Sequence, residues 1–210
     1  MTLTLRQATI EDKEKAMMID YDMWYAPYEE HQKQVDFWKA VASLDMNSFY
    51  IHSNYLLLAE WDNEVVGMVL SEMPEADLTY LSHYMSDGRL EANIISKADK
   101  ALRESYQNLY RNEEAFHTEA GELVKSSYDV AINIFAVNRS VQGKGVGRKL
   151  FEQALTDFKD LNAKNFYLYT NSKCDYQFYD YIGMDRIGTF PEENQDNYVY
   201  GANIKDILAN

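Results

Sequence analysis

The strongest constraint on the fold of this 210-residue chain is a glycine-rich loop between two apolar segments. Val130–Val137 is a mostly apolar, β-branched run that is typical of a buried strand. The loop that follows reads Gln142-Gly143-Lys144-Gly145-Val146-Gly147-Arg148-Lys149-Leu150. Apolar residues then recur at helical spacing as far as Phe158. The sequence therefore predicts a strand, a glycine loop and an amphipathic helix in direct succession.

A unit of this kind can bind phosphate groups. Glycines let the backbone approach a ligand closely, and the N–H groups and dipole of the next helix point at the loop. A nucleotide P-loop would need Ser or Thr after Gly-Lys, where this chain has Gly145 after Lys144. A dinucleotide fingerprint would need a glycine in place of Arg148 and an acid after the next strand, which ends Leu168–Asn171 without one. Both of these phosphate sites lack a required residue, while a glycine turn without a ligand stays open.

Strand-like and helix-like patterns alternate along the rest of the chain. Further strands are predicted at Leu3–Ala8, Tyr55–Glu60, Val65–Glu72, Phe166–Thr170, Met184–Phe190 and Asn197–Ile204. Helices are predicted after Thr9, around Val35–Leu44, across Val146–Phe158 and over Tyr176–Tyr181. This alternation indicates an α/β or α+β fold around one sheet. No Pro-, Gly- or Ser-rich linker interrupts it, so we expect residues 1–210 to form a single domain.

One segment, about residues 74–127, differs in character from the rest. Its apolar residues recur at helical spacing, namely Leu90, Ile94, Ile95, Ala98, Leu102, Tyr106 and Leu109. Asp87 and Gly88 mark a break from a shorter helix upstream. We therefore expect a mostly helical insertion between two of the strands.

The loop and a second motif resemble those of the GNAT N-acetyltransferase superfamily. The pattern Gln142-x-x-Gly145-x-Gly147 after a strand is similar to the pyrophosphate loop of that family. The segment Phe178-Tyr179-Asp180-Tyr181-Ile182-Gly183-Met184 is similar to its Phe-Tyr-x-x-x-Gly-Phe helix end, with Met184 in place of the last Phe. The start at Leu5–Thr9 and the hairpin with Val65-Val66-Gly67 are also similar, so the resemblance spans the chain except for about 74–127.

The resemblance implies a fold and a set of binding residues. The fold would be a mixed, mostly antiparallel sheet, flanked by helices and splayed between the strands before and after the pyrophosphate loop. Backbone amides of the loop would hold the pyrophosphate of acetyl-CoA, Lys144 and Arg148 would add charge, and strand backbone near Val137 would pair with pantetheine. The implied cofactor-binding residues are Val137, Gln142, Gly143, Lys144, Gly145, Val146, Gly147, Arg148 and Asn171. For Lys144 and Arg148, a solvated surface charge is the alternative.

Tyr179 is the one catalytic residue that the resemblance implies. A Tyr at this position would protonate the departing thiolate, and general acids of this kind contribute about 10²–10⁴-fold in rate. The alternative is a packed aromatic side chain without a chemical role. The base that takes the proton from the amine is not identified, because counting back by twos from Val137 along its strand meets Asn133, Ala131 and Asp129 but no Glu. Asp129, Glu29, His31 and a water chain stay open.

Two functions of different class follow from these residues. The first is an acyltransferase that moves the acetyl group of acetyl-CoA to a primary amine of a small molecule or peptide by direct attack. The second is an acyl-CoA-binding sensor, or a degenerate homologue, without turnover. Tyr179 favours the enzyme, whereas the missing strand carboxylate favours the sensor. If the chain is an enzyme, we expect the insertion to pack over the acceptor side of the sheet and to select the substrate.

Composition and charge exclude several other classes. The net charge of −14 repels nucleic acids and anionic membranes. No apolar run is long enough to span a bilayer, and the N-terminus does not have the pattern of a signal peptide. With Cys174 as its single cysteine, the chain forms no internal disulfide, and a cytoplasmic location is the default expectation. The histidines show no metal-ligand spacing, so we expect no metal. A homodimer is left open.

Overall fold

The computed structural model of the chain describes residues 2–73, 78–124 and 127–209. These residues contain seven strands in one sheet, in the order β1-β2-β3-β4-β5-β7-β6. The strands are β1 (Leu3–Gln7), β2 (Tyr55–Trp61), β3 (Glu64–Glu72), β4 (Val130–Val137), β5 (Asn165–Asn171), β6 (Asp185–Pro191) and β7 (Asp196–Asn203). Neighbouring strands are antiparallel except β4 and β5, which are parallel. The predicted mixed, mostly antiparallel sheet is therefore confirmed.

Helices cover both faces of this sheet. They are α1 (Lys13–Asp20), α2 (Glu29–Gln32), α3 (Val35–Ile51), α4 (Arg89–Lys97), α5 (Lys100–Val124), α6 (Val146–Asp160), α7 (Gln177–Ile182) and α8 (Ile204–Leu208), with a π-helical turn at Tyr21–Tyr25 and 3₁₀ turns at Ile10–Asp12, Leu81–Tyr84 and Arg139–Val141. The apolar stripe of α6 packs with α8 on one face, in a core that contains Leu150, Phe151 and Phe158. Helices α1 and α3 pack on the other face against β2, β3 and β4.

The sheet is splayed between its two parallel strands. β4 and β5 pair over three residue pairs, from Val130↔Phe166 to Ile132↔Leu168. Beyond that point β4 continues beside β3 to Val137, while β5 continues beside β7 to Asn171. The facing edges of β4 and β5 therefore separate for the second half of each strand, as the fold expectation requires.

A β-bulge in β4 changes which residues of this strand face α6, contrary to the alternation counted from the sequence. The pairing of β3 with β4 changes register between Leu70 and Ser71, opposite residues 132–134. Val130 and Ile132 pack in the core on the α6 side, as do Phe135 and Val137 farther along. An alternation counted back from Val137 is therefore wrong before Asn133, because one extra residue in the strand reverses the facing of all earlier ones.

The described part of the 74–127 segment is helical. It comprises the 3₁₀ turn, α4 and the 25-residue α5, whereas residues 74–77 and 125–126 lie outside the described residues. Leu102 and Tyr106 of α5 pack against the α1–α3 core, and Phe116, Ala120 and Val124 pack against β5, β6 and β7. Helix α5 therefore crosses the face of the sheet opposite α6 and bridges its two halves. No helix within the described ranges is long and apolar enough to cross a membrane.

Candidate functional site

The glycine loop lies at the open end of the splayed strands. Gly143 and Gly145 adopt positive φ angles of 74° and 76°, which L-residues other than glycine rarely adopt. Gly145 is the N-cap of α6 and offers no side chain to the helix N-terminus. The first N–H groups of an α-helix have no intrahelical acceptor, so those of Val146, Gly147 and Arg148 are available to an anion. The loop thus has the geometry of a phosphate-binding turn.

Gly147 keeps the space in front of β4 open. A Cβ at this position would lie 3.5 Å from Val137 Cγ2 and 3.6 Å from Phe135 Cζ, which are ordinary van der Waals distances. The structure therefore brings Gly147 beside the splayed half of β4, where Val137 was predicted to contact pantetheine. Because no protein atom requires a glycine here, the small residue is explained by a ligand better than by packing.

The two basic residues of the loop are engaged by protein groups. Lys144 Nζ donates to Ser140 O at 3.0 Å and lies 5.4 Å from the centroid of the Trp61 ring. Arg148 Nε donates to Glu152 Oε1 at 2.6 Å across one turn of α6. Both side chains are exposed, so these contacts are exchangeable. A groove of about 190 Å³ runs beside Arg148 between α6 and α7.

The splayed edges present unpaired backbone groups that fit an extended ligand. From Asn133 to Val137, the edge of β4 that faces β5 makes no ladder pairing, although the other edge is paired with β3. Asn171 ends β5, and its Oδ1 accepts from Lys173 N at 3.0 Å. The Asn171 carboxamide is therefore fixed by a local turn at the mouth of the opening. Its predicted contact with pantetheine stays a prediction.

Tyr179 lies on α7, which begins after β5 and ends at Gly183 with a φ of 88°. The side chain is only 7% exposed, and its ring packs near those of Phe151, Phe178 and Tyr200. Burial raises the pKa of the Tyr179 phenol above its ordinary value, with smaller contributions from Cys174 and Asp175. The phenol therefore keeps its proton at neutral pH, which a general acid requires.

The three candidates for the base that takes the amine proton, Asp129, Glu29 and His31, lie in different parts of the structure. Asp129 Oδ2 accepts from the backbone N–H groups of Lys164 and Asn165, at the closed end of the β4–β5 pair, so it holds strands together. Glu29 is exposed on α2. The His31 ring stacks on the Trp38 ring with their centroids 3.7 Å apart, and burial lowers the pKa of His31. None of the three lies on the splayed part of β4.

Three carboxyl groups that the sequence did not single out lie near one another instead. They are Asp20 on α1, Asp45 on α3 and Glu113 on α5. Burial raises the pKa of Asp20 and of Glu113, Asp45 raises both further, and Glu113 adds to the shift of Asp20. An Asp directly after Ile19 on the buried face of a helix is a detectable signal, but nothing local marks Asp45 or Glu113. Within the described ranges, no three His, Cys, Asp or Glu side chains are grouped so as to hold a metal ion.

Comparison with models of known protein families identifies the family of this chain. The model of the acetyltransferase (GNAT) family matches residues 14–181. The chain belongs to the GNAT acetyltransferase family. No curated protein sequence gives a match to this GNAT chain.

Solved structures agree with the fold of this family. A histone acetyltransferase HPA2 and related acetyltransferase from Corynebacterium glutamicum superposes with a TM-score of 0.59 at 16% identity, over 96% of each chain. The ribosomal-protein-S18-alanine N-acetyltransferase of Escherichia coli gives 0.56 at 10% identity, over 97% of this chain and 94% of that one. A Drosophila melanogaster polyamine N-acetyltransferase, which forms N-acetylagmatine, gives 0.56 at 12% identity, over 96% and 100%. At these identities the likeness shows the fold alone.

Proposed function

We propose that this GNAT chain transfers the acetyl group of acetyl-CoA to a primary amine of a small molecule or peptide by direct attack. The observation that carries the proposal is the splay of β4 from β5 with the glycine loop at its mouth. The backbone groups of β4 left unpaired there match the amides of an extended pantetheine arm. The amide N–H groups at the start of α6 match a pyrophosphate.

The residues of the chain have separate roles in this reaction. Amides from Gln142 to Arg148 would bind the pyrophosphate, and β4 near Val137 would orient the thioester. The amine nitrogen forms a bond to the carbonyl carbon, the carbon–sulfur bond breaks, and the sulfur takes a proton from the Tyr179 phenol. The amine gives up a proton to solvent and the Tyr179 phenolate takes one back from solvent, so the products are an acetamide and a free thiol.

One experiment separates this proposal from the acyl-CoA sensor. Release of free thiol from acetyl-CoA is followed over a panel of primary amines, while CoA binding is measured by calorimetry. We expect both binding and amine-dependent thiol release. Binding without release for any amine would favour the sensor, and no binding of CoA would refute both functions.

A further inference from the structure

A group of acidic side chains lies on the face of the sheet opposite α6. It consists of Asp20 at the end of α1, Asp45 on α3, Glu113 on α5 and Glu192 just after β6. Burial raises the pKa of Asp20, and the negative charges of Asp45 and Glu113 raise it further. Burial likewise raises the pKa of Glu113, with further contributions from Asp45 and Glu192. The four carboxyl groups, which we call the acidic series, therefore run from the interior at Asp20 to the exterior at Glu192.

The inner member of the acidic series has no partner for one of its oxygens. Asp20 is 4% exposed, and its Oδ2 makes no hydrogen bond. Tyr50 Oη, which is buried on α3, makes no hydrogen bond either. Burial raises the pKa of Tyr50, and Tyr84 and Asp20 add to this shift. In the part of the chain that the structure describes, no Lys or Arg pairs with Asp20, Asp45 or Glu113. A buried carboxyl in this state is unfavourable, and a cationic ligand would relieve it.

The inner end of the acidic series lies beside the splayed strands. Ile19, the residue before Asp20, packs in one core with Ile134 and Ala136 of β4. Asn138, directly after β4, donates to Asp22 Oδ2 at 3.4 Å and so joins the π-helical turn to this strand. The end of α1 that carries Asp20 is therefore placed beside β4, on the face of the sheet opposite α6.

Aromatic rings flank the carboxyl groups. The Tyr25 hydroxyl donates to Asp45 Oδ2, and the Tyr25 ring stacks on Trp38 at 5.5 Å. Burial raises the pKa of Tyr106 on α5, and Asp45 and Glu113 are close enough to raise it further. Flat apolar walls with carboxyl groups at intervals fit a methylene chain that carries ammonium groups.

The outer part of the acidic series, Glu113 and Glu192, is exposed to solvent. Glu113 is exposed, yet burial and the nearby Asp45 and Glu192 raise its pKa to about 7. Helix α5, which carries Glu113, packs through Leu102 and Tyr106 near its start and through Phe116, Ala120 and Val124 near its end.

We propose that the acceptor is a linear aliphatic diamine or polyamine, with its distal ammonium between Asp45 and Glu113 and its reacting amine toward Asp20. Acetylation of this diamine rests on the proposed function, whereas binding of the diamine to the acidic series does not. The net charge of −14 adds a long-range attraction for such a polycation.

Direct binding tests the proposal without turnover. The full chain is titrated in a calorimeter with 1,4-diaminobutane and with 1-aminobutane, which have the same carbon chain and differ in one ammonium. We expect the diamine to bind about tenfold more tightly or better, the effect of one charge-assisted contact. Glu113→Gln should remove this preference. Glu114→Gln, an exposed neutralisation at the next position of α5, should keep it.

Turnover supplies the second measurement. The ratio of kcat/KM for the diamine to that for the monoamine should exceed about ten in the wild type and fall toward one in Glu113→Gln. This ratio would not change if Glu113 were merely structural. Equal affinity for the two amines, or a preference that survives Glu113→Gln, would overturn the proposal. A preference in binding together with no binding of CoA would support the acidic series and refute the proposed function instead.

Two other occupants are included as competing ligands. A lysine-rich peptide that binds more tightly than the diamine, with the same dependence on Glu113, would overturn the proposal in favour of a protein acceptor. Mg²⁺ or Ca²⁺ that displaces the diamine at equal concentration would overturn it in favour of a metal. We expect neither to compete with the diamine.

Discussion

The buried phenol of Tyr179 can be tested by removing one oxygen atom. Tyr179→Phe keeps the ring that packs near Phe151 and Tyr200, so the fold and the affinity for CoA should survive. If the phenol protonates the departing thiolate, kcat should fall on the order of 10²-fold. KM for acetyl-CoA should change little, because the lost interaction is made in the transition state. Steady-state kinetics with the best amine of the panel measures both.

The control for this substitution lies two residues away on α7. Tyr181 is 79% exposed, and Tyr181→Phe removes the same atom from the surface, so its kcat should match that of the wild type. A Tyr179→Phe enzyme within about twofold of wild type would leave Tyr179 as a packing residue, with proton delivery from solvent.

Gly147 allows a test of the proposed pyrophosphate site that spares the fold. Gly147→Ala adds a Cβ at ordinary distances from Val137 and Phe135, and alanine is favoured over glycine in a helix. The variant should therefore be at least as stable as wild type, yet its affinity for CoA should fall about tenfold or more, because the methyl group enters the path of the ligand. Calorimetry and thermal unfolding measure the two effects separately.

Gly121→Ala serves as the matched change, since it lies in α5 with no atom within 4 Å of its Cβ. It should gain similar stability and bind CoA normally. Normal CoA binding by Gly147→Ala would show that the pyrophosphate lies elsewhere. Substitution of Gly143 or Gly145 would be less informative, because their positive φ angles would strain any other residue.

The residues that sequence reasoning singled out and those it missed differ in how far apart they lie along the chain. Gln142 to Arg148 are consecutive residues of the glycine loop and the first turn of α6, and their glycines and the apolar stripe that follows are visible in the sequence. Asp20, Asp45 and Glu113 come from three helices, and only the packing of α5 across the sheet brings them together. Their proximity is a tertiary property that no local pattern contains.

At the scale of elements, the helical insertion connects the proposed acceptor side to the far strands. Phe116 of α5 packs on Tyr169 at 5.3 Å and on Phe190 at 5.5 Å between ring centroids. Phe116→Ala should loosen α5 from β5 and β6 and cost about 1–3 kcal/mol, less than for a fully buried ring. We expect KM for the amine to rise at least about threefold with the Kd for CoA unchanged.

Tyr110 gives the comparison for that variant, since it is 52% exposed on the same helix. Tyr110→Ala should change neither KM nor stability appreciably. If Phe116→Ala instead weakened CoA binding and left the amine KM intact, the insertion would serve the cofactor rather than the acceptor.

The predicted elements match the structure where one pattern persists over a whole element. The stripe from Val146 to Phe158 became α6, and the run from Val130 to Val137 became β4. Two irregularities could not be read in advance. The bulge in β4 and the π-helical turn at Tyr21–Tyr25 each insert one residue into a regular repeat, and packing on both sides, not local propensity, decides where that residue goes.

At the scale of the whole molecule, ionisable groups affect stability in opposite directions with pH. Asp12 is 2% exposed and accepts two hydrogen bonds from Arg6, at 2.7 and 2.9 Å, which lower its pKa. Its contribution to stability is present above the pKa of an unfolded Asp, near 4, and is lost as the pH falls. Burial raises the pKa of Asp45, so its ionisation lowers the stability of the folded state as the pH rises.

The last prediction follows from Asp45, whose pKa burial raises from 3.8 to about 6. Below about pH 4 the carboxyl is protonated in both states, and it has no effect. As the pH rises, the unfolded chain ionises first, so the folded state is penalised increasingly up to about pH 6 and constantly above it. Asp45→Asn still accepts from Tyr25 but never ionises, so its stability relative to wild type should increase from pH 4 to pH 7 by about 1–3 kcal/mol. Denaturant unfolding across this range measures the difference, and Glu114→Gln corrects for the loss of one negative charge. A difference that stays flat or shrinks with pH would show that Asp45 ionises in the folded chain as easily as in water.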